Sequence, residues 1–248
     1  MVRPISPMSI HAADRLIVAL DVDSVEKAQR IVEQLDGSVS FFKVGLELFV
    51  IGGTAMVEWL ISRGKKVFLD LKFNDVPETV TRATRAAAGM GVSFLTVHGA
   101  GPTVRAAVAG RGENSHLKLL AVTVLTSFDA EDIKDLGFPV SVEELVIHRA
   151  KKAREAGCDG VVASGQEAKR IREAVGPNLL IVTPGIRPRG VANQDQKRVV
   201  TPHDALADGA DYLVVGRAIT ADPNPRAAAE AVLMEMREAF AAPTHSAR

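Results

Sequence analysis

Short, mostly apolar runs alternate with longer amphipathic stretches along most of this chain. The runs fall at residues 16–20, 41–44, 67–71, 94–97, 117–122, 160–163, 179–182 and 212–215. Runs of this length and character read as strands buried on both faces. The stretches between them carry apolar positions at helical spacing; Val142, Leu145, Val146, Ala150 and Ala153 trace one such face. Many end at a glycine, namely Gly37, Gly64, Gly91, Gly157, Gly176 and Gly209. Asp23-Ser24-Val25-Glu26 and Ser141-Val142-Glu143-Glu144 both resemble capping boxes at helix starts. Strand–helix alternation predicts a parallel sheet, and eight such units in 248 residues predict a closed (β/α)8 TIM barrel of the α/β class. An open doubly wound sheet would carry a glycine fingerprint after its first strand, where this chain has Leu20-Asp21-Val22-Asp23. With no linker or low-complexity segment, the expectation is one barrel domain over residues 1–248, with 1–13 and 241–248 as flanking tails.

Composition narrows the function classes. Hydrophobic residues make up 47% of the chain, enough for a sizeable core. The 30 basic and 30 acidic residues balance without a long basic run, so a nucleic-acid partner is not expected. No apolar run approaches the ~20 residues that span a bilayer, and residues 1–13 lack the apolar core of a signal segment. The one cysteine, Cys158, cannot pair within the chain and reads as a small buried residue where a helix turns into the next strand. A cytoplasmic protein with no membrane partner is expected. Met56 and Trp59 read as core residues of the second helix. His11, His98, His116, His148, His203 and His245 are scattered without ligand spacing, so no metal site is expected. His98, at the end of the fourth run, reads as a structural hydrogen-bonding group.

Candidate chemistry concentrates at Asp70-Leu71-Lys72-Phe73-Asn74-Asp75, where charges interrupt an otherwise buried strand. Period-two alternation predicts Asp70 and Lys72 on one face, with Asp75 where a helix begins. Buried opposite charges are costly unless paired and hydrogen-bonded, so their presence at a strand's carboxyl end points to catalysis. Barrel active sites lie at that end of the strands. This chain has Asp21 after its first strand, Lys43 in its second, and His98-Gly99 after its fourth. The fifth is read as ending in Thr126-Ser127, and the eighth in Gly216-Arg217. After the seventh comes Thr183-Pro184-Gly185-Ile186-Arg187, then a polar stretch with Asn193, Gln194 and Asp195. Glycines that let backbone N–H groups approach an anion, with an arginine able to make charge-assisted pairs, predict a phosphate site in the last two loops. The 187–200 segment is expected to close over a ligand.

These residues, in this order, resemble the orotidine 5'-phosphate decarboxylase family, whose members make UMP from OMP. The resemblance rests on Asp70-x-Lys72-x-x-Asp75-Val76-Pro77-x-Thr79 together with Lys43 and Asp21. It extends to Leu125-Thr126-Ser127, to Thr183 through Arg187 with Gln194, and to Gly216-Arg217, covering nearly the whole chain. It implies that Lys72 protonates C6 of the pyrimidine, within a network of Lys43, Asp70, Lys72 and Asp75. Asp21 and Lys43 would meet the ribose hydroxyls, and Thr126 and Ser127 the pyrimidine edge. Gln194, Gly216 and Arg217 would hold the 5'-phosphate, with Arg187 nearby. It further implies a homodimer in which Asp75 and Thr79 come from the partner subunit, and a reaction that uses neither cofactor nor metal. The chain departs from the usual motif at Asn74, Val76 and Glu78, where histidine, isoleucine and asparagine are commoner. None of these departures removes a charge from the network.

Two other readings stay open at this level. Related barrels, the 3-keto-gulonate 6-phosphate decarboxylases and hexulose 6-phosphate synthases, share the motif but use Mg2+; a divalent ion asks for an acidic ligand after the second strand, where this chain has Lys43. A non-catalytic nucleotide-phosphate sensor would keep Arg217 and Gln194 but would have no need of Lys72 and both aspartates.

Overall fold

A computed structural model of the chain describes residues 12–114, 116–189 and 200–241. Eight parallel strands close into a barrel in sequence order. They are β1 (Leu16–Ala19), β2 (Phe41–Gly45), β3 (Lys66–Phe73), β4 (Phe94–His98), β5 (Lys118–Val122), β6 (Gly160–Val162), β7 (Leu180–Thr183) and β8 (Tyr212–Val215). Around them lie α1 (Ala12–Arg15), α2 (Val25–Gln34), α3 (Leu46–Ser62), α4 (Pro77–Gly89), α5 (Gly101–Arg111) and α6 (Ala130–Asp135). The remainder are α7 (Val142–Glu155), α8 (Gly165–Val175), α9 (Pro202–Ala207), α10 (Arg217–Thr220) and α11 (Pro225–Ala241). The predicted barrel and all eight strand positions are observed. The predicted tails lie mostly outside the described residues; Ala12 and Ala13 open α1 and Ala241 closes α11, so these three are helical.

Alternation along the strands divides the core in two. Leu16, Val18, Phe42, Val44, Val67 and Leu69 face outward into the layer shared with the helices. Ile17, Ala19, Phe41, Phe68, Phe94, Leu120, Val182 and Val214 fill the barrel. Phe94 meets Phe41 and Tyr212 edge-on, with ring centroids 4.9 and 5.0 Å apart. This geometry suits the ring quadrupoles and plugs the barrel below its mouth. Two residues beyond Phe41, Phe68 and Phe94, on the same faces, stand Lys43, Asp70 and Thr96. The floor of the candidate site is therefore apolar and rigid.

Local signals account for the helix ends. Ser141 and Glu144 form the predicted capping box before α7, and Ser164 with Glu167 forms another before α8. The box predicted at Asp23–Glu26 is only half present: Ser24 accepts from the Lys27 N–H, but a lysine at that third helical position cannot return the bond. All six glycines predicted at helix ends have positive φ. The α7 face is observed, with Leu145, Val146, Ala150 and Ala153 buried. Met56 is buried, while Trp59 packs at the core's margin under the Arg63 guanidinium. Cys158 is buried between α7 and β6, its thiol donating to the Leu119 carbonyl and pushed up to about 12 by burial. Among the described residues, no helix is long and apolar enough to cross a membrane.

The regular pleat fails at one place. Between β3 and β4 the register passes from Leu69 opposite Leu95 to Phe73 opposite Val97, so β3 carries extra residues there. Lys72 sits in this bulge with φ +49°, the one non-glycine residue with positive φ among those described. Strict alternation, the basis on which Asp70 and Lys72 were predicted to share a face, does not hold there; a bulge re-aims the Lys72 side chain instead.

Helices α4 and α5 pack so closely that a Cβ at Gly110 would lie 2.3 Å from the Thr81 carbonyl oxygen. Backbone cannot retreat as a side-chain tip can, so Gly110→Ala is expected to destabilise the fold by about 1–3 kcal/mol. Urea unfolding of the two proteins measures the difference, and equal midpoints would refute this account of the contact.

Candidate active site

The carboxyl ends of the strands surround a cavity of about 480 Å³. Asp21, Lys43, Asp70 and Lys72 line it on the side of β1 to β3. Thr126 and Ser127 line it from the turn that follows β5; they lie four and five residues past the strand end rather than on it. Gly185, Arg187, Gly216 and Arg217 line the side formed by β7 and β8.

The four charged residues form a continuous chain of alternating sign. Lys43 Nζ lies 2.8 Å from Asp21 Oδ1 and 3.5 Å from Asp70 Oδ2. Lys72 Nζ donates to Asp70 Oδ1 at 2.9 Å. The Lys43 and Asp70 side chains are only 10% and 14% exposed, so each charge depends on its neighbours for solvation. Burial works against ionised Asp70, but Lys43, Lys72 and the Thr96 hydroxyl hold its carboxyl below the usual aspartate value. The result is a fixed carboxylate between two ammonium groups, both of which line the cavity.

Two residues that sequence reasoning passed over support this chain. Thr96 on β4 is fully buried; its hydroxyl donates to Asp70 Oδ1 at 2.8 Å and accepts from the Lys72 N–H at 3.0 Å. Alternation from Phe94 places the Thr96 side chain inward, but only the structure shows that it meets Asp70 and the Lys72 N–H. Gly45 ends β2, where a Cβ would come within 2.7 Å of Asp21 Oδ1 and 2.9 Å of Lys43 Nζ. Any side chain there would push those two tips out of their present ion-pair geometry.

Asp75 and Thr79 stand apart from the cavity in the single chain. Asp75 is exposed and accepts the Val76 N–H at 2.6 Å, and Thr79 is exposed in the first turn of α4. At the opposite side, Gly185 has φ +77° and Arg187 donates to the Ile186 carbonyl at 3.0 Å. The Arg187 N–H also donates to the Val200 carbonyl at 3.0 Å, tying the two ends of the predicted closing segment together. Gln194, Asn193 and Asp195 lie outside the described residues, as does most of that segment. The hydrogen-bonding role predicted for His98 is not met at Nδ1, which is buried without a partner. Its ring borders a second cavity of about 230 Å³ shared with Lys72 and Arg149, and burial together with Arg149 lowers its pKa. Among the described residues, no three His, Cys, Asp or Glu side chains are grouped to hold a metal ion.

The chain is similar to known proteins over most of its length. The model of the orotidine 5'-phosphate decarboxylase / HUMPS family matches residues 14–232. The orotidine 5'-phosphate decarboxylase of Nitrobacter winogradskyi is 55% identical over 229 residues, covering 92% of this chain and 95% of that protein. The one from Methylococcus capsulatus is 50% identical over 240 residues, covering 96% and 98%. The crystal structure of orotidine 5'-phosphate decarboxylase from Lactobacillus acidophilus superposes with a TM-score of 0.78 at 38% identity, covering 89% of this chain and 98% of that one.

The lowered pKa of Asp70 gives its charge a measurable signature. Its contribution to stability is present above the ordinary value of 3.8 and is lost as pH falls through the lower folded value. The urea midpoints of the wild type and Asp70→Asn are expected to differ most near neutrality and to draw together below pH 3.8. A gap that stays constant into acid would contradict the ion-pair account.

Proposed function

The chain belongs to the orotidine 5'-phosphate decarboxylase / HUMPS family, and from that premise we propose that Lys72 is the acid that delivers a proton to C6 of the substrate. The protein converts orotidine 5'-phosphate to UMP and CO2, a carboxy-lyase step of pyrimidine biosynthesis. The observation that carries the residue assignment is the alternating chain Asp21–Lys43–Asp70–Lys72 at the carboxyl ends of β1, β2 and β3.

Breaking the C6–carboxylate bond leaves its electron pair on a ring carbon with no conjugated sink. A preorganised ammonium at Lys72 stabilises that charge as it develops, and its proton then forms the new C6–H bond. The amine left behind recovers a proton from solvent once the product departs. Asp70, held ionised between Lys43 and Lys72, keeps the ammonium aimed. It also faces the substrate carboxylate, whose loss as neutral CO2 relieves the repulsion.

The remaining assignments follow the position of each group around the cavity. Asp21 and Lys43 take the ribose hydroxyls, while Thr126 and Ser127 contact the pyrimidine edge. Gly216, Arg217 and Arg187 take the 5'-phosphate, joined by Gln194. Binding energy from that remote anion is available to exclude water from the reacting carbon. Lys43 also separates this reading from the Mg2+-dependent members of the family, because an ammonium at the end of β2 repels a divalent cation.

The working unit in this proposal is a homodimer, with the partner subunit's Asp75 and Thr79 completing the site. Asp75 and Thr79 are exposed in one chain, and so are the apolar Leu46, Val50, Ile51 and Val76 that follow the neighbouring strands β2 and β3. Apolar side chains on that rim favour a covered surface. In this reading the enzyme works in the cytoplasm, whose reducing conditions suit the free, buried thiol of Cys158.

Two measurements test these assignments. Lys72→Ala is expected to lower OMP turnover by at least about 10²–10⁴-fold, followed by the change in OMP absorbance, while UMP still binds; wild-type turnover is expected to be unaffected by EDTA. Near-normal activity in the variant removes Lys72 from its role, and EDTA sensitivity transfers the site to the metal-dependent reading. Separately, mixing and reassembling inactive Lys72→Ala and Asp75→Ala proteins is expected to restore about a quarter of the wild-type sites, since two-fold symmetry leaves one intact site per mixed dimer. A mixture that stays inactive would place Asp75 outside a shared site.

A further inference from the structure

Thr96 occupies the point where β4 faces the bulge of β3, and it is fully buried behind the cavity wall. A hydroxyl has one proton and two lone pairs to offer, and here the proton and one lone pair are used. The Lys72 N–H donates to Thr96 Oγ1 at 3.0 Å, and Thr96 Oγ1 donates to Asp70 Oδ1 at 2.8 Å. The first bond gives the Lys72 amide a partner where the β3–β4 ladder is interrupted, in a backbone conformation that an L-residue with a long side chain rarely adopts. The second fixes the carboxylate whose same oxygen accepts the Lys72 ammonium at 2.9 Å, and it leaves Oδ2 turned to Lys43 at 3.5 Å.

One side chain therefore sets both ends of the Lys72 geometry, its backbone origin and the anion that aims its tip. We propose that Thr96 is a positioning residue for decarboxylation: its hydroxyl locks the bulge and the Asp70 rotamer together, so that the Lys72 ammonium is delivered to the reacting carbon in one orientation. This rests on the reading of Lys72 as the proton donor. Thr96 does not line the cavity, so its loss acts through Asp70 and Lys72 rather than through substrate contact. Misplacing a reacting group by an ångström is enough to cost about 10²-fold in rate.

The test compares Thr96→Val, which keeps the β-branched shape and removes the hydroxyl, with Thr96→Ser, which keeps the hydroxyl. Lys72→Ala is run alongside, and turnover of OMP and affinity for UMP are measured for each. Thr96→Val is expected to lose about 10- to 100-fold in kcat with KM and UMP affinity within about threefold, while Thr96→Ser stays within about threefold in kcat. If Thr96→Val does not fold, Thr96→Ala removes the same hydroxyl and carries the same expectation. The proposal is overturned if the hydroxyl-free variant keeps wild-type kcat, if kcat and UMP affinity fall together, if Thr96→Ser falls as far as Thr96→Val, or if both hydroxyl-free variants fail to fold. Wild-type turnover in Lys72→Ala would instead remove the underlying assignment, whatever Thr96 does.

Discussion

Asp70 is an ionised carboxylate held almost out of solvent, and the arrangement at the barrel mouth follows from the need to compensate it. Two cations are drawn in, Lys43 from β2 and Lys72 from β3 itself, and a buried hydroxyl comes from β4. Lys43 in turn shares its charge with Asp21 at the more exposed rim. A buried charge stripped of partners costs several kcal/mol, so no member of this chain can be moved independently. Even the glycine at the end of β2 is explained by it, since a Cβ there would meet both Asp21 and Lys43.

The closed barrel supplies what such a network needs beneath it. Every strand is parallel, so every carboxyl end lies on one rim. Phe41, Phe68, Phe94 and Tyr212 interlock edge-to-face inside the barrel and leave no soft layer under the charges. The aromatic plug and the polar rim are built from the same strands, two residues apart. Rigidity below therefore translates directly into fixed positions above, which electrostatic stabilisation of a short-lived carbanion requires.

Departures from regularity concentrate where the chemistry is assigned. The bulge in β3 re-aims Lys72, and its positive φ is tolerated because a neighbouring strand supplies a bond for the displaced amide. On the side proposed to take the phosphate, the short helix α10 begins at Arg217, just after Gly216. Asp75 and Thr79 do not line the cavity of their own chain, which is why the proposed function needs a second subunit to bring a further acid to the site.

The barrel was legible in the sequence because eight apolar runs, separated by helical stretches that mostly end at a glycine, satisfy few other architectures. Asp70, Lys72, Lys43 and Asp21 were legible because charge in a buried strand has no cheap structural explanation. Thr96 and Gly45 were not singled out, since a threonine and a glycine are ordinary strand residues until their neighbours are known. The sequence by itself determined which strands exist, which way their side chains alternate and where charge accumulates, for these depend on local periodicity and composition. Only the tertiary structure decided that β3 bulges, that one hydroxyl joins Asp70 to the Lys72 backbone, and that Asp75 lies outside its own cavity. Those outcomes depend on the register between strands, and register is set by contacts between residues distant along the chain.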